Sequence, residues 1–203
     1  MYSGRMGDRL PLRERKQLQA RERILRAADE LFRERGFEAV SVTDIVDQAE
    51  VGRTSFFRYF GDKQEVVFAH EQAMLETIGR VHRQRPEPKP ASLAEAIAQL
   101  RDIVVALCAQ VTEDVESYVS HYELVDGYPE LRARDALKLQ RQAGLLADIL
   151  IERGADRSMA VLASQIALAC YQAARLSAIQ DPRTLVADTE AAFDQVVRLG
   201  QHG

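Results

Sequence analysis

Apolar positions along the chain recur three and four residues apart almost throughout, and period-two alternation is absent. Ile24, Ala28, Leu31 and Phe32 place one face of a helix over about 16–35. Gly36 follows as a glycine stop. Val42, Ile45, Val46 and Ala49 predict a short second helix, with Ser41 and Asp44 at capping-box spacing. A second short helix follows Gly52 and ends at Phe60. Asp62 and Glu65 then open a long helix to about Arg83, and three prolines within 84–92 end it. Ser92 and Glu95 start a helix over about 93–110. Further helices are read over 113–124, 130–153 and 157–179, and a last one from Asp181-Pro182 to about Leu199. The pattern predicts an all-α protein of about nine helices, with residues 1–15 disordered. The proposed division is 16–62 and 63–203, the helix from 63 to about 83 linking the two.

Two short helices cannot stand alone, and they need the first long helix as a third wall. That arrangement is a helix-turn-helix, whose second helix can enter the DNA major groove. Its sequence divides by geometry. Phe56 and Phe60 are four apart and face the core with Ile24, Leu31, Ile45 and Val46. Arg53, Thr54, Phe57 and Arg58 fall on other faces. Phe57 either meets the rest of the protein or an apolar edge such as a thymine methyl. Arg53 is either a solvated charge or a donor to guanine or phosphate. Tyr59 and Lys63 stand where phosphates would pass. Thr43, in the first turn of the preceding helix, is either a plain first-turn residue or a contact to base edge or phosphate.

Charge sharpens this picture. The net charge is -4, yet residues 5–26 carry eight Arg and Lys against three Asp and Glu. A basic beginning on an acidic body is one footprint of a nucleic-acid module, and equally of a solubilising tail. Cys108 and Cys170 lie in apolar helical patterns as buried thiols, in keeping with a reducing cytoplasm. No signal segment or membrane-length run is read. Neither paired carboxylates, a nucleophile–base spacing, a phosphate loop nor a metal-ligand spacing is found, so an enzyme, a cofactor and a metal are not expected.

The stretch ARERILRAADELFRERGFEAVSVTDIVDQAEVGRTSFFRYFGDKQEVVFA, residues 20–69, resembles the TetR family of bacterial one-component regulators. Leu31-Phe32, Glu34 to Phe37, Val42, Ile45, Ala49, Val51, Ser55 to Phe57, Phe60 and Lys63 follow the family pattern. The resemblance implies DNA contacts at Thr43, Arg53, Thr54, Phe57, Tyr59 and Lys63, with Ser55 touching the backbone and a role for the basic stretch Arg13 to Arg23. It implies a homodimer through the last two helices, on a palindromic double-stranded operator, and a repressor released by a small-molecule effector. Some regulators with similar recognition helices sense acyl-CoA or other hydrophobic effectors. Ala160, Ala163, Ala167 and Ala174 would let helices approach closely, facing Leu185, Ala192, Val196 and Leu199; alternatively both helices close a monomeric core. Tyr118, His121, Tyr122, Gln165, Cys170, Tyr171 and Arg175 are polar or amphipathic residues in apolar helices, and are candidates for an effector pocket. Two departures stand out. Glu50 occupies a turn position where glycine is usual, and Gly52 replaces a serine cap. The alternative reading is a small-molecule-binding or interaction protein with a vestigial DNA module.

Overall fold

The computed structural model describes residues 11–69 and 71–200, without the side chains of Gln72, Leu199 and Gly200. Residues 1–10, most of the stretch expected to be disordered, lie outside it. The described residues form ten α-helices and one 3₁₀ turn, as an all-α chain. Contacts divide it into two compact units, Met1–Ala69 and His70–Gly203.

In the first unit, α1 (Leu12–Arg35), α2 (Val42–Gln48) and α3 (Arg53–Phe60) pack around one small core. Helix α1 begins at Leu12, four residues before the sequence reading, behind Pro11, whose fixed φ suits a helix start. Ile24, Ala28, Leu31, Ile45 and Phe56 are fully or almost fully buried, and Phe37 and Val40 close over them. Ser41 caps α2 with a reciprocal box: its side chain accepts from the Asp44 N–H, and the Asp44 carboxylate accepts from the Ser41 N–H. Beyond Phe60, Asp62 caps α4 (Lys63–Val67) by accepting from the Glu65 N–H.

The single long helix expected from 63 to about 83 is two helices. Helix α4 stops at Phe68, and α5 (Glu71–Gln84) follows. The Ala69 N–H turns back to Val66, three residues away, and the Ala69 carbonyl accepts from Arg21 Nη2 at 2.7 Å. The carbonyl that would continue the helix ladder is taken by a cation from α1.

The second unit continues with α6 (Leu93–Val111), α7 (Val115–Gly127), α8 (Pro129–Glu152), α9 (Arg157–Ser177), the 3₁₀ turn Pro182–Thr184 and α10 (Leu185–Gly200). Their starts are local: Ser92, Asp114 and Asp156 accept from first-turn N–H groups, and Pro129 takes the first turn of α8. Helix α9 lies at the centre and packs on α6, α8 and α10. By length and composition alone it could cross a membrane, an exception to the reading that no run is long enough. Its inward stripe of Ala160, Ala163, Ala167, Cys170, Ala174 and Ala178 is buried in the core of this unit. These alanines bring helices of the same chain together, so they are not a seam for a second copy. Leu185 is likewise fully buried, and Ala192 and Val196 are half-buried against the same core. The Leu199 side chain lies outside the described residues. Opposite the alanine stripe, α9 turns Val161, Leu162 and Leu176 outward, with Ile179 just beyond its end.

Candidate DNA-reading helix and effector cleft

The turn between α2 and α3 sets the reading helix. The Glu50 N–H reaches the Asp47 carbonyl at 3.2 Å, and the Val51 N–H reaches Val46 at 3.0 Å. This pair of bonds is a Schellman ending, and it puts the residue after the helix in the left-handed region. That residue is Glu50, at φ 53°, the only non-glycine with positive φ among the described residues. Gly52 then begins α3 in extended geometry without a side-chain cap.

Helix α3 sorts its side chains sharply. Phe56 and Phe60 are 0% and 5% exposed, whereas Phe57 is 46% exposed and meets Phe56 edge-on at 5.5 Å. Arg53 and Thr54 are exposed beside Phe57, and Thr43 is exposed in the first turn of α2. These four residues point to solvent. The other three expected contacts are half-buried and occupied. Arg58 Nη2 donates to the Tyr59 hydroxyl at 3.1 Å and to Ser55 Oγ at 3.5 Å, with its guanidinium over the Tyr59 ring. Lys63 Nζ donates to the Phe37 and Val40 carbonyls at 2.7 and 2.8 Å and sits 4.1 Å from the Phe37 ring centroid. It ties α4 to the α1–α2 connection. Arg21, within the basic stretch expected at DNA, is also internal: it holds Ala69 and lies over the Phe60 ring. Nothing in the local sequence marks Lys63 or Arg21 as braces, because both partners are distant backbone carbonyls.

The second unit holds an apolar cleft between α5, α6, α8 and α9. It is small, with a cavity volume of about 40 Å³, and partly open to solvent. Its lining includes Met74, Ile78, Val104, Leu107, Leu139, Leu146 and Leu168. Of the seven residues proposed from sequence, only Tyr171 lines it. Tyr118, Tyr122 and Arg175 form a polar group behind Tyr171. The Tyr122 and Tyr171 hydroxyls are 2.6 Å apart, and the Tyr118 and Tyr122 rings are 4.8 Å apart. The Arg175 guanidinium lies 4.3 Å from the Tyr122 ring centroid and reaches Asp126 and Asp135 at 3.7 and 3.6 Å. Burial pushes all three tyrosine hydroxyls up and also raises the Asp135 carboxyl. His121 stacks edge-on against Tyr122 at 4.8 Å. Gln165 is exposed and donates to Gln140, and Cys170 is buried in the helical core away from the cleft. Cys108 and Gln142 line the cleft and were not among the candidates. Their spacing is that of ordinary core positions, so only the packing identifies them. Cys108 Sγ lies 3.3 Å from the buried Thr189 hydroxyl, and burial raises its thiol to about 11. Among the described residues no group of three or more His, Cys, Asp and Glu is placed to hold a metal.

Comparison with known proteins bears on both units. Residues 24–69 match the model for bacterial regulatory proteins of the tetR family. The HTH-type transcriptional regulator TcmR of Streptomyces glaucescens is 29% identical over 144 residues, covering 70% of this chain and 63% of that protein. The HTH-type transcriptional repressor Rv3405c of Mycobacterium tuberculosis is 32% identical over 107 residues, covering 52% of this chain and 47% of that one. The chain thus spans less than two thirds of these relatives. Among solved structures, Thermus thermophilus FadR, a TetR-family repressor in complex with lauroyl-CoA, is 28% identical with a TM-score of 0.54, covering 86% of this chain and 91% of that one. SmeT in complex with triclosan shares the fold, at 19% identity and a TM-score of 0.59 over 89% and 90%. With the helix-turn-helix in place over the match, residues 24–69 form a DNA-binding module of the tetR family of bacterial regulatory proteins.

Proposed function

We propose that the protein is a dimeric, sequence-specific DNA-binding transcriptional regulator, working in the cytoplasm as a repressor that an effector releases from a palindromic operator. The observation that carries this is Phe57: a helix with two fully packed phenylalanines leaves the third 46% exposed beside Arg53 and Thr54. Standing on the same exposed side of the short helix as Arg53 and Thr54, that ring can lie against a base edge or a thymine methyl. In this reading Thr43, Arg53, Thr54 and Phe57 face the groove, with Ser55 and Tyr59 at the backbone. Lys63 acts mainly by bracing the unit, since two of its N–H bonds are already spent on carbonyls. The DNA-binding part is taken as 16–62 and the effector and dimerisation part as 63–203.

One such helix reads only a few base pairs, so a dimer on two half-sites is required. The outward row of α9, Val161, Leu162 and Leu176, is the surface that supports it, with α10 beside it. The apolar cleft supports a hydrophobic effector, and so does the lauroyl-CoA held by the Thermus thermophilus relative. Effector binding must favour one arrangement of the dimer over another to act on DNA.

The test is a salt-dependent titration of the chain on its upstream intergenic DNA, with Phe57→Ala and Arg53→Ala. Each variant is expected to lose about 1–3 kcal/mol of specific binding while retaining the fold. Binding equal to that on unrelated DNA, on this and on randomly selected sequences, would favour the small-molecule-binding alternative.

A further inference from the structure

We infer that the effector is an uncharged, mainly apolar molecule with one hydrogen-bonding group, which the Tyr171 hydroxyl receives at the polar end of the cleft. The inference rests on the reading of that cleft as the effector site. It narrows the range from hydrophobic molecules in general, acyl carboxylates and acyl-CoA included, to neutral ones.

The walls give the first reason. Ile78, Val104, Leu107, Leu139, Leu146 and Leu168 offer a bound molecule dispersion contacts and no polar partner. Among the described residues no Lys, Arg or His lines the cleft. An anionic head group entering it would give up its hydration with no cation in return. The nearest guanidinium in the polar group behind is Arg175, which is shared between Asp126 and Asp135. Two carboxylates against one guanidinium leave that end of the cleft unfavourable to a further negative charge.

The tyrosine pair gives the second reason. The two hydroxyls lie 2.6 Å apart, and either can be the donor. Two O–H groups joined by one hydrogen bond leave one proton and several lone pairs. Tyr171, the member on the cleft, can therefore present a donor or an acceptor to a phenol, alcohol, ketone or amide. The other polar groups on the lining are less available. The Cys108 thiol already meets Thr189, and the Gln142 amide lies 3.9 Å from the Met74 sulfur. Met74 and Gln142 are both flexible, so they can yield to a ligand larger than the space now open to water.

The experiment is calorimetric titration of the full chain at neutral pH with three matched probes, para-butylphenol, para-butylbenzoate and butylbenzene, and with lauroyl-CoA. The phenol is expected to bind about tenfold or more tighter than the ionised benzoate. Tyr171→Phe should weaken the phenol about tenfold and leave butylbenzene unchanged. Ala143→Phe, which fills the cleft, should abolish binding of both, with retained helicity by circular dichroism as its fold control. Benzoate or lauroyl-CoA binding as tightly as the phenol would overturn the inference. So would a phenol affinity indifferent to Tyr171→Phe, or no phenol binding at all. Failure of the wider reading is separable: a phenol that binds as expected but leaves operator affinity unchanged upholds the ligand class and removes the effector role.

Discussion

At Glu50 the chain holds φ at 53° where the Schellman ending of α2 favours glycine. The left-handed region costs a residue with a Cβ roughly 1–2 kcal/mol, and glycine's extra freedom in the unfolded chain returns part of any gain. Glu50→Gly is therefore expected to stabilise the protein by about 0.5 kcal/mol in urea denaturation. Glu50→Gln keeps the backbone strain and removes only the charge. It should leave the urea midpoint unchanged and tighten binding to both operator and unrelated DNA, because the carboxylate stands three residues before Arg53. Cys108 offers a test of the interior. Its folded thiol titrates near 11 against an ordinary 9.0, because burial disfavours the thiolate. The sign depends on which state loses its proton first. Well below pH 9 both states hold it and the contribution is whole. As pH rises toward 11 the unfolded chain ionises first, and stability falls by roughly 2–3 kcal/mol. Thermal melts of wild type and Cys108→Ala across this range should converge as the pH rises, and native Cys108 should resist alkylation at neutral pH.

Elements whose ends are built from neighbouring residues were legible in the chain. Ser41, Asp62 and Ser92 each start a helix where their spacing places it, since a cap needs only the next three residues. The break between α4 and α5 was not legible. Val66, Val67 and Ala69 continue a helical pattern, and the bond that occupies the Ala69 carbonyl comes from Arg21, 48 residues away. The same limit applies to sites. Phe57 was separable from Phe56 and Phe60 by helical spacing alone. The cleft was not, because its leucines and valines repeat like any core, while the polar residues that drew attention stand behind Tyr171. At Lys63 a brace and a DNA contact can be told apart by mutagenesis. Its ammonium bonds two carbonyls of the α1–α2 connection, so Lys63→Met should cost about 2 kcal/mol of stability. A phosphate contact would instead lower the salt slope of DNA binding by about 1 with little loss of stability. The expected result is the first: a lower urea midpoint and an unchanged slope.

For the molecule as a whole, the two faces of α9 differ in what they leave for the proposed second copy. The alanine stripe is consumed within the chain, so close helix approach is already spent on α6, α8 and α10. The opposite face leaves Val161, Leu162 and Leu176 at 44%, 50% and 65% exposure. Leu162 and Leu176 are fourteen residues apart, two heptads, and so lie on one line down the helix. Leu162→Glu with Leu176→Glu places charge on that line and touches nothing buried, so the helical signal and thermal midpoint should be kept. Light scattering should then show a monomer for this variant and a dimer for the wild type. Leu137 on α8 is as exposed as Leu176 but lies off the last two helices, and Leu137→Glu should leave the dimer whole. The consequence reaches the DNA. A monomer reads one half-site and makes half the phosphate contacts, so operator affinity should fall by more than about tenfold and its salt slope should halve. A monomeric variant that bound the operator as tightly as the dimer would break the link between this surface and the reading helix, and a dimer that survived both substitutions would move the interface elsewhere on the body.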